Sequence, residues 1–351
     1  MTAQRSRTRW IWAGVLLALV LLLFTACTES APQSTLQPEG PVARQQDDLF
    51  RPVFWIATAV FVFVEGLILV IAVKFRHRKG RDAIPTQVHG NKRLELMWTI
   101  IPTVILAGIA VPTIGTIFEL SREPAPNERL DVTIIAHQWW WEVEYPGEHV
   151  ITANEIHIPT GRPVYFTLES RNQGAEIPVI HSFWVPKLGG KQDVVPGRIN
   201  HVILEAEHPG TYLGQCAEFC GISHAYMRLR VIAHTPQDFD AWLANESSPA
   251  AEPSDALAQR GFELFQSFPG GSCMACHAIN GLEGAAARIG PDLTHLAARE
   301  TFAGAIADLT PEELRKWLDD PRSIKPGAKM PDYGLSDEEI EALVAYLLSL
   351  E

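Results

Sequence analysis

The stretch Cys216–Met227, "CAEFCGISHAYM", sets two cysteines, an acid, a histidine and a methionine in one short segment. Taken alone it admits three readings: a disulfide-stapled turn, a redox dithiol, or a metal-binding loop. Neither a Cys-x-x-x-Cys bridge nor a dithiol has a use for His224 or Met227. A copper site uses both, because thiolate, imidazole and thioether together form the ligand set of a soft copper centre. Single-copper electron carriers of sandwich fold take one more imidazole from an earlier strand. His181, in "IPVIHSFWVPKLGGKQDVVPGR" (residues 177–198), offers it, and the second cysteine brings enough sulfur to bridge two copper ions.

The surrounding sequence suits such a loop. "RLDVTIIAHQWWWEVEYP" (129–146), "VITANEIHIPTGRPVYFTLES" (150–170), "GRINHVILEAE" (197–207) and "AYMRLRVIAH" (225–234) are β-branched and aromatic, bounded by Gly, Pro and Asn. Many short strands with turns between them predict an all-β sandwich or barrel over residues 129–235.

The N-terminal third is of another kind. Arg5, Arg7 and Arg9 precede the apolar run "WIWAGVLLALVLLLFTAC" (10–27), the pattern of a secretory signal. Leu23, Phe24, Thr25 and Ala26 before Cys27 resemble a bacterial lipobox, so residues 1–26 are expected as a lipoprotein-type signal peptide and Cys27 as a lipidated N-terminus. Polar, Pro-containing residues 27–50 read as a linker. Val53–Val73 is long enough to span a bilayer, and Leu96–Phe118 follows it, with Pro102 and Pro112 inside. The loop between them carries Lys74, Arg76, Arg78, Lys79, Arg81, Lys92 and Arg93, which places it in the cytoplasm. Residues 51–120 thus form a two-helix transmembrane hairpin, and everything after about Glu119 lies on the outer face. Glu65 is an ionisable residue within the first span, expected to hydrogen-bond to a neighbouring membrane subunit.

At 351 residues the chain holds two or three domains, and its net charge of −12 argues against nucleic acid. Residues 244–255 form a second polar linker, rich in Ser and Pro. Beyond it, "CMACH" (Cys273–His277) is a c-type haem attachment motif, with His277 as axial ligand. The second axial ligand is expected to be Met330, in the Pro/Gly loop "SIKPGAKMPDYG". Leu257, Gly261, Leu264 and Phe265 share one helical face, and Ile340, Leu343, Val344 and Leu347 another. Gly261 would let those helices cross closely at Ala345 or Tyr346. The nine histidines outside the two motifs are assigned to the surface or to strands. The linker is expected to tether an acidic C-terminal domain that lacks a basic face.

"HSFWVPKLGGKQDVVPGR", "GTYLGQCAEFCGISHAYM" and "HQWWWEVEYP", after a two-helix hairpin, resemble subunit II of the haem–copper cytochrome c oxidases over roughly residues 45–235. "CMACH", "GPDL" (290–293) and the Met330 loop resemble small class I cytochromes c. Together these resemblances imply a multidomain caa-type subunit II: a transmembrane hairpin, an all-β cupredoxin-like sandwich, and an all-α class I cytochrome c domain over 256–351. They imply a binuclear CuA centre bridged by Cys216 and Cys220, with His181 and His224 as terminal ligands. Met227 would be a weak thioether ligand, and Glu218 would bind through its carbonyl. The Glu218 side chain would reach a magnesium site shared with subunit I. Trp139 would be the point at which electrons arrive, in a Trp139–Trp141 run whose members also suit core packing. Glu95 would stand at the mouth of a proton channel into subunit I; a first-turn carboxylate favoured by the helix dipole is the plain alternative.

The five cysteines are then accounted for: two for copper, two for one covalent haem c, and Cys27 for lipid. The function implied is electron transfer from haem c through CuA to subunit I, where dioxygen is reduced to water with proton pumping. Subunit III, and a cytochrome c or a quinol–cytochrome c reductase as donor, would be further partners. The alternatives are a CuA subunit of another haem–copper enzyme, such as a nitric oxide reductase, or a copper-delivery protein.

Overall fold

The structure, a computed structural model, describes residues 14, 31–76, 87, 89–171, 177–253 and 255–351. The expected signal peptide, Cys27 and the basic residues Arg78, Lys79 and Arg81 lie outside the described residues.

Helices α1 (Pro41–Lys74) and α2 (Lys92–Leu120) are both long and apolar enough to cross a membrane. Their apolar side chains, such as Phe61, Leu69, Leu106 and Phe118, point outward, as lipid or a neighbouring subunit requires. Helix α1 starts well ahead of Val53, so the second half of the stretch read as linker is helical. Pro41 opens its first turn, where a missing N–H costs nothing. Gly40 passes against the Glu205 carbonyl, where a Cβ would overlap, and Val42 packs against the sandwich core. The helix is therefore seated on the next domain.

That domain is a sandwich of two five-stranded sheets. One has the order β3 (Val150–Ala153), β2 (Trp140–Tyr145), β1 (Leu130–His137), β5 (Val164–Glu169), β8 (Asn200–Leu204). The other has β4 (Glu155–Pro159), β10 (Arg228–His234), β9 (Gly210–Cys216), β6 (His181–Trp184), β7 (Gln192–Val194). Pairs β1–β5 and β4–β10 are parallel and the rest antiparallel. Strand β5 shows why a sandwich forms: Val164, Phe166 and Leu168 face inward while Tyr165, Thr167 and Glu169 alternate outward. Trp141 fills the centre, edge-on to Phe183 at 5.7 Å. Pairing of Phe183 with Cys216 brings His181 and the β9–β10 loop to one end of the second sheet.

Helix α3 (Pro236–Glu246), which the sequence reading did not anticipate, follows β10. It closes the far side of the sandwich with Phe239 and Trp242, the latter stacked 4.2 Å from His157. The last domain is helical: α4 (Ala256–Gln266), α5 (Pro311–Asp319), the short α6 (Pro321–Ile324) and α7 (Asp337–Leu347), with a small ribbon β11 (Thr301–Phe302) and β12 (Ala307–Asp308). Helices α4 and α7 cross at Gly261, which packs on the Ala342 carbonyl and the Tyr346 Cβ. Tyr346 was expected there; Ala342, one turn earlier on the same face, takes the place assigned to Ala345. Leu257 is exposed and Ala258 holds the inner position instead. His295 is likewise buried, not on the surface or a strand; its ring nitrogens meet the carbonyls of Glu351 (2.6 Å) and Ser248 (3.0 Å).

The helical domain is docked rather than merely tethered. Arg228 N–H donates to the Gly304 carbonyl at 3.0 Å, and Glu155 accepts from Thr301 N–H at 2.8 Å and Glu300 N–H at 3.1 Å. Arg288 pairs with Glu142 and Glu144, and Arg230 with Glu300 at 2.8 Å. The acidic C-terminal domain does have a basic face: Arg288, Lys325 and Lys329 are gathered where it meets the sandwich. A net charge counted over a domain hides such a local cluster.

Candidate metal centre and haem pocket

Strand β9 ends at Cys216, whose N–H donates to the Met227 carbonyl at 2.8 Å, so the loop leaves and rejoins the sheet at one place. Cys216 Sγ and Cys220 Sγ lie 3.8 Å apart, both buried, well beyond the roughly 2.05 Å of a disulfide. Each thiol has its own imidazole: His181 Nδ1 is 3.8 Å from Cys216 Sγ, and His224 Nδ1 is 3.6 Å from Cys220 Sγ. Met227 Sδ is 3.9 Å from Cys220 Sγ, and the Glu218 carbonyl is 3.2 Å from Cys216 Sγ. All six residues singled out in the sequence thus meet in one place. The pair holds its protons unequally: the hydrogen bond between them, helped by His181, pushes the Cys216 thiol down to about 3, while that bond and burial push Cys220 up. The Glu218 carboxylate turns away to Lys191 at 3.5 Å.

The second site is a cavity in the helical domain, lined by Cys273, Cys276, His277, Met330, Trp317 and Arg299. His277 Nδ1 lies 2.7 Å from the Pro291 carbonyl, which can only accept. The ring is therefore protonated at Nδ1 and keeps a lone pair on Nε2. Burial holds its pKa below the ordinary imidazole value, which favours the same neutral ligand form. Gly290 packs on the face of that ring, leaving no room for a Cβ. Met330 Sδ accepts from Trp317 Nε1 at 3.1 Å.

Trp139 joins the two sites. Its indole N–H donates to the Cys220 carbonyl at 3.0 Å, beside Gln138 Nε2 at 2.8 Å, and the residue also lines the cavity in the helical domain. Glu95 stands apart, across the span, and accepts from the backbone N–H of Asn91, the N-cap of α2, at 3.2 Å. Sequence reasoning missed Lys325, which is buried beneath Trp139, donates to its carbonyl, and donates to the Ala303 carbonyl at 2.8 Å. Burial pulls its pKa down to about 7. It missed Arg299 too, because a lysine in a Pro/Gly loop and an arginine in a turn both read as surface.

The family model described as cytochrome c oxidase subunit II, periplasmic domain, matches residues 149–234, and the one for its transmembrane domain matches residues 33–115. The cytochrome c model matches residues 258–351. The cytochrome c oxidase subunit 2 of Alkalihalophilus pseudofirmus is 39% identical over 340 residues, spanning 95% of this chain and 96% of that protein. The chain belongs to the cytochrome c oxidase subunit II family. Another member, from Bacillus sp. (strain PS3), is 38% identical and covers 96% of both chains. The quinol oxidase subunit 2 of Bacillus cereus is 30% identical over 72% of this chain and 86% of its own. As a cytochrome c oxidase subunit II with a cytochrome c domain, the chain is a membrane protein with an electron-transfer role and a place beside subunit I. Membership also excludes the copper-delivery reading.

The subunit II family implies CuA, and the cytochrome c domain implies haem. The residues present fit both. Two close thiols, two imidazoles, a thioether and a carbonyl make a soft donor set with no hard carboxylate oxygen among its nearest atoms. In the cavity, Arg299 Nε is buried without a hydrogen-bond partner. An anionic group such as a haem carboxylate would satisfy it.

Proposed function

We propose that this chain is the electron-donating subunit of a caa-type terminal oxidase, in which cytochrome domain and copper domain work as consecutive stations toward subunit I. Cys216, Cys220, His181, His224, Met227 and the Glu218 carbonyl would hold the copper. Cys273 and Cys276 would attach haem c covalently, with His277 and Met330 as the ligands to its iron. When bound, these two groups supply one-electron carriage. The protein's part is to keep both sites dry and stiff. The copper loop is pinned to the sheet at Cys216 and Met227, and a rigid frame limits the rearrangement that accompanies a change of charge. The carrying observation is Trp139: one residue hydrogen-bonds the Cys220 carbonyl through its indole and lines the cavity of the helical domain.

Dioxygen reduction to water and proton pumping belong to subunit I in this reading, with Glu95 near the mouth of a proton path. Glu218, paired with Lys191, is the side chain that would serve a shared magnesium ion. Both water-exposed domains lie on the outer face of a bacterial cell membrane, Cys27 is lipidated, and subunit III is a further neighbour. The external donor is a cytochrome c or a quinol–cytochrome c reductase. The quinol oxidase relative is matched over 72% of this chain, against 95% for the cytochrome c oxidase relative, which favours a chain fed through its cytochrome domain.

Cys220→Ser tests the copper half in the purified complex. Copper per subunit should fall and the mixed-valence EPR signal should disappear while the haem c absorption stays. A variant that keeps two coppers and the unaltered signal refutes the ligand assignment.

A further inference from the structure

The face of the copper domain that carries Trp139 is already covered by this chain's own cytochrome domain. Trp139 is 8% exposed, although it sits at the tip of the β1–β2 turn, where a side chain normally meets water. The cover comes from two segments of the helical domain. Gly304 packs on the Trp139 carbonyl and Gly327 on its ring, and a Cβ at Gly327 would run into Ile222. Lys329 Nζ stands 5.8 Å over the same ring, and Ser223, fully buried, donates to the Pro326 carbonyl.

At the centre of this cover is Lys325. It is 5% exposed, and its amine bridges a carbonyl of each domain: Trp139 in the copper domain and Ala303 in its own. A buried amine is costly unless it is hydrogen-bonded. Of its two carbonyl partners, Trp139 is available only while the domains are together. Undocking would leave the amine short of one partner and the Trp139 carbonyl to find water, so the contact favours a single docked arrangement. Around it, Arg288 on Glu142 and Glu144, and Arg230 on Glu300, add charge pairs at the edge of the same face.

We propose that Lys325 is a positioning residue that locks the cytochrome domain over Trp139 as a permanent cap, so that the copper domain presents no docking face to a second redox protein. The external donor, a protein carrying its own one-electron centre, must then address the cytochrome domain. This rests on the reading of Trp139 as the point at which electrons arrive.

The test is hydroxyl-radical footprinting of the assembled, copper- and haem-loaded complex, read residue by residue by mass spectrometry. In the unmodified chain Trp139, corrected for the higher intrinsic reactivity of an indole, should label several-fold more slowly than Leu257, which is 49% exposed on the cytochrome domain. Lys325→Met should raise Trp139 labelling several-fold. Trp141, in the sandwich core, and Trp317, in the haem cavity, should stay at their original rates. Lys325→Arg, which keeps donors for both carbonyls, should restore much of the protection. Equal corrected labelling of Trp139 and Leu257 in the unmodified chain overturns the cap, as does unchanged Trp139 labelling in Lys325→Met. If Lys325→Met fails to load haem, Lys325→Gln serves instead, with intermediate labelling expected and unmodified labelling again refuting the lock. Reduction of the copper centre by pre-reduced haem c, followed by absorption on the same samples, reports on the electron-transfer reading itself. Its failure would appear as a copper centre that is not reduced, with the footprint unchanged.

Discussion

Substituting Gly261 by alanine sets two known effects against each other. In an isolated helix the change is favourable by about 1 kcal/mol, because alanine loses less backbone freedom. At this position the new Cβ would overlap the Ala342 carbonyl oxygen and stand 2.6 Å from its carbon and 2.7 Å from Tyr346 Cβ, where ordinary contact begins near 3.4 Å. None of those atoms lies at the end of a flexible side chain, so the clash is relieved only by parting α4 from α7 by more than about 1 Å. That gap would run through Leu264, Phe265, Leu343, Tyr346 and Leu347, all nearly fully buried. Overpacking of this kind typically costs about 1–3 kcal/mol, and rigid backbone puts this case at the upper end. The net expectation is a loss of about 2 kcal/mol, or roughly 8–16 °C in the melting of a domain this size. Thermal unfolding followed at the haem absorption of the cytochrome domain measures it. Gly147→Ala, where an added Cβ meets nothing within 4 Å, serves as the control. A Gly261→Ala chain as stable as the unmodified one, or more so, refutes the close crossing, because propensity alone would then decide the sign.

Met330→Ala should abolish the low-spin His/Met haem spectrum while leaving the copper EPR signal intact; an unchanged haem spectrum would remove Met330 as a ligand. A pH effect is expected at His157, which burial, with His234 beside it, holds down to about 3. The unfolded chain takes up that proton near pH 6.5 and the native state does not. Stability is therefore complete above pH 6.5 and is lost as pH falls toward 3, at up to about 1.4 kcal/mol per pH unit. Denaturant midpoints of the unmodified chain should fall more steeply below pH 6.5 than those of His157→Asn, and parallel slopes would refute the assignment.

The ligands were legible in the sequence because their geometry is encoded locally. Cys216, Cys220, His224 and Met227 share one loop, and Cys273, Cys276 and His277 one turn, so spacing alone limits what they can hold together. The hairpin was legible because a bilayer demands long uninterrupted apolar runs, and the sandwich because a two-faced strand demands alternation. His181 could be picked only as a histidine on an earlier strand, by the pattern of sandwich-fold copper carriers, since only the β6–β9 pairing brings it to Cys216. The start of α1 and the whole of α3 were not legible: each is polar enough to pass for linker, and each is helical where it has the sandwich to pack on. The docking of the cytochrome domain belongs to the tertiary structure alone. Lys325 and Trp139 are 186 residues apart, and neither residue's neighbours in the chain announce the other. Sequence determined which groups this protein can hold. The folded surfaces, by burying an amine between two carbonyls of different domains, decided how the two sites face each other.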